Sequence, residues 1–158
     1  MAVRKMTPKI FVVFLLSFCF YSSPFLSSLS FSAETRADAP KKICLKEQCL
    51  NIEVARTDIE RARGLQDRES LGDDYGMLFV FESQGMYNFW MKDTLVPLDM
   101  IWIDKDHKIV DIKSDVPPCK SDPCEIFVPA AEAQYVLETK AGLSKVVGFN
   151  VGDELKFQ

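Results

Sequence analysis

Residues 76–104, which read GMLFVFESQGMYNFWMKDTLVPLDMIWID, constrain the fold more than any other stretch of the chain. Within them, residues 77–81 form a continuous apolar run between a glycine and polar residues, which is typical of a strand buried on both faces. Turn-forming residues follow at 82–85, and a second apolar run occupies 86–92. The two runs together predict an antiparallel hairpin.

Two further strands are predicted after this hairpin. Pro97 ends the second run, because proline has no N–H to donate to a β-ladder. Residues 98–104 form a third strand-like run, and residues 108–113 alternate between apolar and polar side chains as a fourth strand would. We therefore expect these four strands to form an antiparallel meander.

The remaining segments predict short strands and one or two short helices. Thr57 and Glu60 have the spacing of a helical capping box, and Gly64 suits the position after that helix. Ser144 is a candidate N-cap for a second helical turn. Strands are predicted at 43–45, 50–55, 134–139 and 155–157, with an irregular proline-rich loop at 114–129. The predicted fold class is α+β and mostly β: a compact single domain with an antiparallel meander, in a mixed sheet or partial barrel.

The N-terminus has the pattern of a secretory signal. Arg4, Lys5 and Lys9 precede the apolar run 10–20, which is followed by the serine-rich stretch 22–32. The apolar run is shorter than the ~20 residues of a membrane span. We predict a signal peptide at 1–32, a linker at 33–42 and one globular domain at 43–158, and we expect a periplasmic or secreted protein. A retained N-terminal anchor is the alternative.

Four cysteines remain once the leader and its Cys19 are set aside, in two pairs of equal spacing: Cys44 with Cys49, and Cys119 with Cys124. Export favours disulfides, and each pair flanks a short polar turn, so we predict local pairing. A four-thiolate zinc site is the rival, although this spacing is at the edge of the range that zinc uses. The two-residue spacing of oxidoreductase motifs is absent.

The charge of the chain bears on its partners. The formal net charge is −4, and loss of the basic leader would make it more negative. Because the remaining basic residues form no cluster in the sequence, nucleic acid and anionic membrane surfaces are excluded as expected partners. Contact with a membrane is expected only through an uncleaved signal.

Polar residues inside the apolar block are the first site candidates. Lys92, Thr94 and Asp99 border buried strands, and a buried polar group must find partners. In one interpretation Asp93 and Thr94 satisfy a tight turn, and Asp99 accepts hydrogen bonds from backbone amides. In the other, Lys92, Asp99 and an arginine line the mouth of a pocket.

Arg63 and Arg68 lie on either side of the exit from the first helix. One interpretation makes them surface arginines near a helix C-terminus, where the helix dipole favours cations. The other has one of them reach Asp99 or an anionic ligand through a bidentate pair of hydrogen bonds.

Several motifs occur in one order and spacing along the chain. They are ERARGL at 60–65 with Arg68, GMLF at 76–79, FWMKDTLVPLDM at 89–100, VPPC at 116–119, YVLE at 135–138, AG at 141–142 and VGD at 151–153. From residue 43 onwards the chain resembles the domain of unknown function 192 family. The family's usual residue after Lys92 is asparagine, whereas this chain has Asp93, which makes the turn more acidic. The resemblance implies a compact, β-dominated α+β domain, often exported, with no agreed activity, cofactor or substrate.

The favoured function is a non-enzymatic binding or interaction module of the periplasm or cell envelope. Its ligand would be an unknown small molecule, a glycan or an envelope protein, and no cofactor or metal is expected. An aromatic face with a few hydrogen-bonding groups beside it suits such ligands. The candidate ligand-binding residues are Arg63, Arg68, Trp90, Lys92, Thr94 and Asp99.

Two alternatives belong to other classes. A small hydrolase could use Asp99 or Glu138 with Lys92 as general acid and base, but the sequence offers no Ser–His pairing and only one histidine, His107, in a predicted turn. A copper protein could use soft methionine ligands together with His107. Those methionines are Met77, Met86, Met91 and Met100, which fall in apolar runs where methionine usually fills a core.

Overall fold

A computed structural model describes residues 39–158 of the chain. The predicted signal peptide and the linker residues 33–38 lie outside the described residues. Within 39–158, no helix is both long enough and apolar enough to cross a membrane.

The described part of the chain contains nine strands and two short helices. In chain order they are β1 Lys42–Leu45, β2 Gln48–Ala55, α1 Asp58–Arg63, β3 Tyr75–Gly85, β4 Phe89–Trp90, β5 Leu98–Ile103, β6 Ile109–Val116, β7 Ile126–Phe127, β8 Ala133–Lys140, α2 Leu143–Val147 and β9 Lys156–Phe157.

Seven of the strands form one sheet in the order β6-β5-β8-β3-β2-β1-β9, and β4 pairs with β7 in a separate two-stranded sheet. The β2–β3 pair is parallel, with α1 in the connection between the two strands, and the other pairs are antiparallel. The large sheet is mixed and curls into a half-barrel. The predicted fold class, mostly β with two short helices, is confirmed.

The predicted four-strand meander is wrong in its order, because β8 lies between β3 and β5. Residues 86–92 do not pair with β3. Tyr87 stacks on Phe81 with ring centroids 3.5 Å apart, and its carbonyl accepts a hydrogen bond of 2.9 Å from Trp102 Nε1. These contacts hold the segment across a face of the sheet, so only the two residues of β4 find a strand partner. The β5–β6 hairpin is confirmed.

Because side chains alternate along a strand, the sheet has two buried faces. On the first, which we call the Leu137 face, Leu78, Ile101 and Leu137 pack with Leu143 of α2. On the second, the Trp102 face, the largest buried side chain is Trp102. It packs with Leu65, Phe79, Met100 and Val136. Consecutive residues of β5 and β8 therefore point to different environments.

The first helix ends as predicted, and the second begins differently. Thr57 and Glu60 form both hydrogen bonds of a capping box, and Gly64 is the C-cap of α1 with φ +48°. The predicted N-cap role of Ser144 is wrong. Gly142 occupies that position in the left-handed region, and the Ser144 hydroxyl is instead bonded to Asp99.

Both cysteine pairs form disulfides locally, as predicted. Cys44 and Cys49 are directly opposed partners in the β1–β2 ladder. Cys119 and Cys124 close a small loop within residues 117–125. The long irregular loop predicted at 114–129 is shorter than expected, since β6 extends to Val116 and β7 interrupts the remainder.

Candidate functional site

A cavity of about 290 Å³ lies on the Trp102 face, between the end of α1, β4 and the β3–β8 pair. We call it the Glu138 pocket. Its polar side chains include Arg63, Gln66, Asn88, Lys92, Thr94 and Glu138, and its apolar lining includes Phe79, Phe81, Phe89 and Trp90. It thus combines an aromatic lining with a small number of polar groups, which is the composition of small-molecule sites.

The deepest polar group of this pocket is Glu138. It lies in the middle of β8 opposite Met77 of β3 and Met100 of β5, and only 4% of its surface is exposed. No group in residues 39–158 forms a hydrogen bond or ion pair with its carboxyl. Among the described residues, every polar side-chain atom that is fully enclosed has a hydrogen-bond partner. Because the Glu138 oxygens have none, they are not fully enclosed and are open to the pocket. Burial raises the pKa of Glu138 to about 8, which leaves the carboxyl mostly protonated at pH 7.

Aromatic rings form the walls above this carboxyl. Phe89 contacts Phe79 edge to face, with ring centroids 4.9 Å apart, and a similar contact of 6.5 Å joins Phe89 to Phe81. Trp90 follows in β4, with 52% of its surface exposed, so its indole stands at the rim. These rings exclude water from one side of the pocket and leave its mouth open.

Two cations stand at the mouth. Lys92 Nζ lies 5.7 Å from the centroid of the Trp90 ring and 3.8 Å from a carboxylate oxygen of Asp122. The exposed side chain of Arg63 forms no hydrogen bond or ion pair with any residue in 39–158, although its charge acts on nearby Glu53. The third cation, Arg61, is bound to the carbonyl of Val80 at 2.9 Å and to Asp58. Arg61 is therefore held by these bonds, whereas the Arg63 side chain has none within residues 39–158 and Lys92 has only its 3.8 Å ion pair with Asp122.

Four of the six predicted site residues line this pocket: Arg63, Trp90, Lys92 and Thr94. Arg68 lies elsewhere, where its guanidinium donates to Glu53 at 2.7 Å and to the Tyr75 hydroxyl at 2.9 Å. Tyr75 also donates to Glu53 at 2.6 Å, and burial together with this hydrogen bond raises the pKa of Tyr75 to about 12. Arg68 is thus part of a closed network.

Asp99 lies on the opposite face of the sheet and is fully buried. Its carboxylate accepts hydrogen bonds from the backbone N–H groups of Asp115 at 2.8 Å, Gly142 at 3.1 Å and Ser144 at 2.9 Å. The Ser144 hydroxyl donates a fourth at 2.6 Å. Asp99 therefore binds backbone amides, which is the first of the two interpretations of this residue. Neither Arg63 nor Arg68 is among its partners.

The fold does not bring together the residues proposed for a hydrolase or those proposed for a copper site. Asp99 and Glu138 face opposite sides of the sheet, so only Glu138 shares a cavity with Lys92. Met77, Met91 and Met100 are buried in the core of the Trp102 face, Met86 is half exposed, and His107 stacks on Phe157 at the Leu137 face. Among residues 39–158, no three His, Cys, Asp or Glu side chains are grouped as metal ligands.

A larger cavity of about 540 Å³ lies on the Leu137 face beside residues 39–41, Tyr135 and Phe157. Its charged and amide side chains, Lys41, Arg56 and Gln158, are exposed to water. The cavity therefore contains no buried polar group in need of a partner, and we favour the Glu138 pocket as the candidate site.

The sequence does not predict which residues lie at the deep end of the pocket. The sequence suggests Glu138 only as a hydrolase residue, and it does not indicate Asn88, Gln66 or the phenylalanine walls as ligand contacts. One signal was present. In the alternating strand 134–139, Glu138 shares a face with Val136, and Val136 is a core position. A carboxyl on the inward face of a strand marks a special environment.

Comparison with known proteins places residues 41–157 within a family model, DUF192, described as "Uncharacterized ACR". The chain is similar to a UPF0127 protein of Thermococcus sibiricus, with 27% identity over 109 residues, 68% of this chain and 66% of that protein. A UPF0127 protein of Pyrococcus abyssi is 29% identical over 111 residues, 67% of this chain and 85% of that protein.

Two crystal structures are also similar. A protein of unknown function from Novosphingobium aromaticivorans is 31% identical with a TM-score of 0.67, and the match covers 75% of this chain and 84% of that one. A Sinorhizobium meliloti protein, described as a candidate transcription regulator, is 33% identical with a TM-score of 0.67, covering 73% of this chain and 90% of that one.

Proposed function

The chain belongs to the DUF192 family, and from that premise we propose that it is a non-enzymatic module that binds a small molecule in the Glu138 pocket. We further propose that it works in the periplasm or outside the cell. The two disulfides within residues 39–158 support the second statement, because such bonds persist in oxidising compartments.

The observation that carries the proposal is the buried carboxyl of Glu138 in an aromatic pocket, which has no partner among residues 39–158. A buried polar group without a partner is costly, and purely structural cores either satisfy such groups or replace them with apolar ones. A ligand that bonds to Glu138 would supply the missing partner. Asn88, whose side-chain amide also forms no hydrogen bond within the described residues, offers a second contact in the same cavity.

Binding is favoured over hydrolysis by the arrangement of candidate catalytic groups. The Ser144 hydroxyl, which could resemble a nucleophile, donates to Asp99 and is buried on the other face of the sheet. Among the described residues that line the pocket, Lys92 and Glu138 form the one pair that could exchange protons, and the Thr94 hydroxyl there donates to the carbonyl of Lys92 at 3.4 Å and not to a base. DNA binding is not proposed, since the chain carries a net charge of −4.

The test uses Trp90 as a reporter. Individual amino acids, amines, sugars and organic acids are added to the oxidised protein, and tryptophan emission is recorded. A ligand in the pocket should change the emission of the half-exposed Trp90 and leave that of buried Trp102 unchanged. Trp90→Phe is the matched control, and it should abolish the response. If no compound of the four classes changes the emission or the NMR resonances of the pocket residues, the binding proposal is wrong.

A further inference from the structure

We propose that the Glu138 pocket selects a small zwitterion, with an organic ammonium group against the Glu138 carboxyl and an acid group at Arg63 and Lys92. This inference rests on the proposed function and names the chemical class of its ligand.

The deep end of the pocket favours a cation. Aromatic rings attract cations, and Phe79 and Phe89 line the cavity together with Glu138. The third ring, Phe81, is already stacked on Tyr87 and has the Arg61 guanidinium over it. An ammonium group would provide both the opposite charge and the hydrogen-bond donors that the carboxyl lacks. The ionised form of Glu138 would repel an anion, and an apolar group would leave the carboxyl without a partner.

The mouth of the pocket favours an anion. Arg63 has no ion-pair partner in the described chain, and the Lys92 pair with exposed Asp122 is long at 3.8 Å. A simple amine entering the pocket would pass two positive charges, which are offset only in part by Asp122 beside Lys92 and by Glu53 near Arg63. A ligand with an acid group at its other end would pair with them, and a planar carboxylate or similar group suits the guanidinium of Arg63. The charges are thus arranged with the negative one deep and the positive ones outside.

Binding and protonation of Glu138 must then be coupled. The titratable groups that line the cavity with it are Arg61 and Arg63 from α1 and Lys92 after β4, while its neighbours on β3 and β5, Met77 and Met100, carry no charge. Burial raises the pKa of Glu138 to about 8 in the free protein. An ammonium group stabilises the ionised form, so binding at pH 7 should release about one proton. Affinity should rise about tenfold per pH unit below pH 8 and level off above it.

The experiment is titration calorimetry of the oxidised protein with ω-amino acids, from 3-aminopropanoate to 6-aminohexanoate. For the best chain length, the matching alkylammonium, carboxylate and ω-hydroxy acid are measured as well. The amino acid should bind at least about tenfold more tightly than each of the three, because only it carries both charges. Buffers of different ionisation enthalpy should report the release of the proton.

The key variant is Glu138→Gln, which keeps the shape of the side chain and removes its charge. It should weaken binding of the amino acid at least about tenfold at pH 8, remove the proton release, and leave binding of the hydroxy acid unchanged. A double variant, Arg63→Gln with Lys92→Gln, should remove the preference for the amino acid over the alkylammonium. The second variant changes only residues at the mouth, so it remains informative even where Glu138→Gln fails to fold.

The outcomes separate the two proposals. If the hydroxy acid binds the unchanged protein as tightly as the amino acid does, or if Glu138→Gln binds the amino acid as tightly as the unchanged protein does, the zwitterion assignment is wrong while small-molecule binding stands. If none of these probes binds but a sugar or another neutral compound changes Trp90 emission, the assignment is again wrong and the binding function stands. If nothing binds at all, both proposals fail.

Discussion

Asp99 and Glu138 are two carboxyls buried in one sheet, on neighbouring strands, and their surroundings are opposite. Asp99 accepts hydrogen bonds from three backbone N–H groups and one hydroxyl, which tie the end of β6 and the start of α2 to β5. Glu138 receives none from residues 39–158. The first arrangement stabilises the fold, whereas the second costs stability unless a ligand compensates for it.

Replacing Asp99 should therefore lower the stability of the fold. Asp99→Ala leaves buried donors of Gly142 and Ser144 without an acceptor, and we expect a loss of about 3 kcal/mol in the free energy of unfolding. Urea denaturation followed by circular dichroism measures it. Lys92→Ala is the control, since that side chain is 40% exposed at the pocket mouth and its removal should change stability little. Equal losses in both variants would contradict this division of roles.

The carboxyl of Glu138 should make the protein less stable as pH rises. In the unfolded chain it titrates near its ordinary value of 4.5, whereas burial raises the folded-state pKa to about 8. Between these values the unfolded state has lost the proton that the folded state keeps, so increasing pH favours unfolding. We expect Glu138 to contribute a loss of roughly 1 to 4 kcal/mol across this window, and none of this contribution in Glu138→Gln.

Urea titrations of both proteins at intervals from pH 4 to pH 9 measure this difference. Other groups titrate in both proteins alike, so the comparison isolates Glu138. The two stability curves should converge near pH 4 and separate towards pH 8. Parallel curves would mean that the pKa of the carboxyl is the same in the folded and the unfolded protein.

At the scale of elements, the pocket depends on how closely β3 and β8 approach each other. Gly76 of β3 lies opposite Thr139, and a Cβ atom there would be 2.8 Å from Leu137 Cδ1 and 3.0 Å from the backbone oxygen of Glu138. The glycine is therefore required by close contact with the strand that carries Glu138. The glycine of the GMLF motif is therefore explained by the close packing of β3 against β8.

Gly76→Ala should force β8 away from β3 and cost about 1 to 3 kcal/mol. Gly72→Ala is a matched control, because its Cβ would meet its nearest neighbour, Tyr75 Cβ, at an ordinary 3.4 Å. Thermal unfolding of the two variants makes the comparison. A midpoint for Gly76→Ala equal to that of the control would show that the sheet tolerates the extra methyl group.

The sequence predicts those elements whose partners lie close along the chain. The β1–β2 and β5–β6 hairpins and the capped helix α1 depend on neighbouring residues, and each appears where local signals place it. The position of β8 depends on which distant strand best covers β3, and no local pattern encodes that choice. The same limit applies to the site. Arg63 and Lys92 stand out as charges near apolar runs, but the depth of Glu138 follows only from that strand order.

At the scale of the whole molecule, the two disulfides secure opposite parts of the chain. Cys44–Cys49 closes the hairpin near one edge of the sheet, and Cys119–Cys124 closes a loop beside the pocket mouth. Within that loop Cys119 N–H donates to the carbonyl of Met91, and Asp122 faces Lys92. Each closed loop is small, so each bond should contribute less than the ~3 kcal/mol of a 15-residue loop.

We expect residues 39–158 to contain no free thiol. Native mass spectrometry before and after reduction should show a gain of four hydrogens on reduction, and thiol counting under denaturing conditions should find no free thiol before it. Double Cys→Ser replacement at 119 and 124 should weaken ligand binding in the Glu138 pocket more than the same replacement at 44 and 49. Four reactive thiols in the purified protein, or a zinc ion that accompanies them, would contradict the disulfide assignment.

The last strand returns to the beginning of the domain, where Lys42 and Gln158 exchange backbone hydrogen bonds of 2.8 and 2.9 Å. Residues 42 and 158 are therefore neighbours in space, although they are far apart in sequence. A short flexible peptide could join them, and the chain could be reopened at the exposed turn between Lys105 and Asp106. Such a circular permutant should keep every strand pairing of the sheet. Its new termini would lie in the turn between β5 and β6.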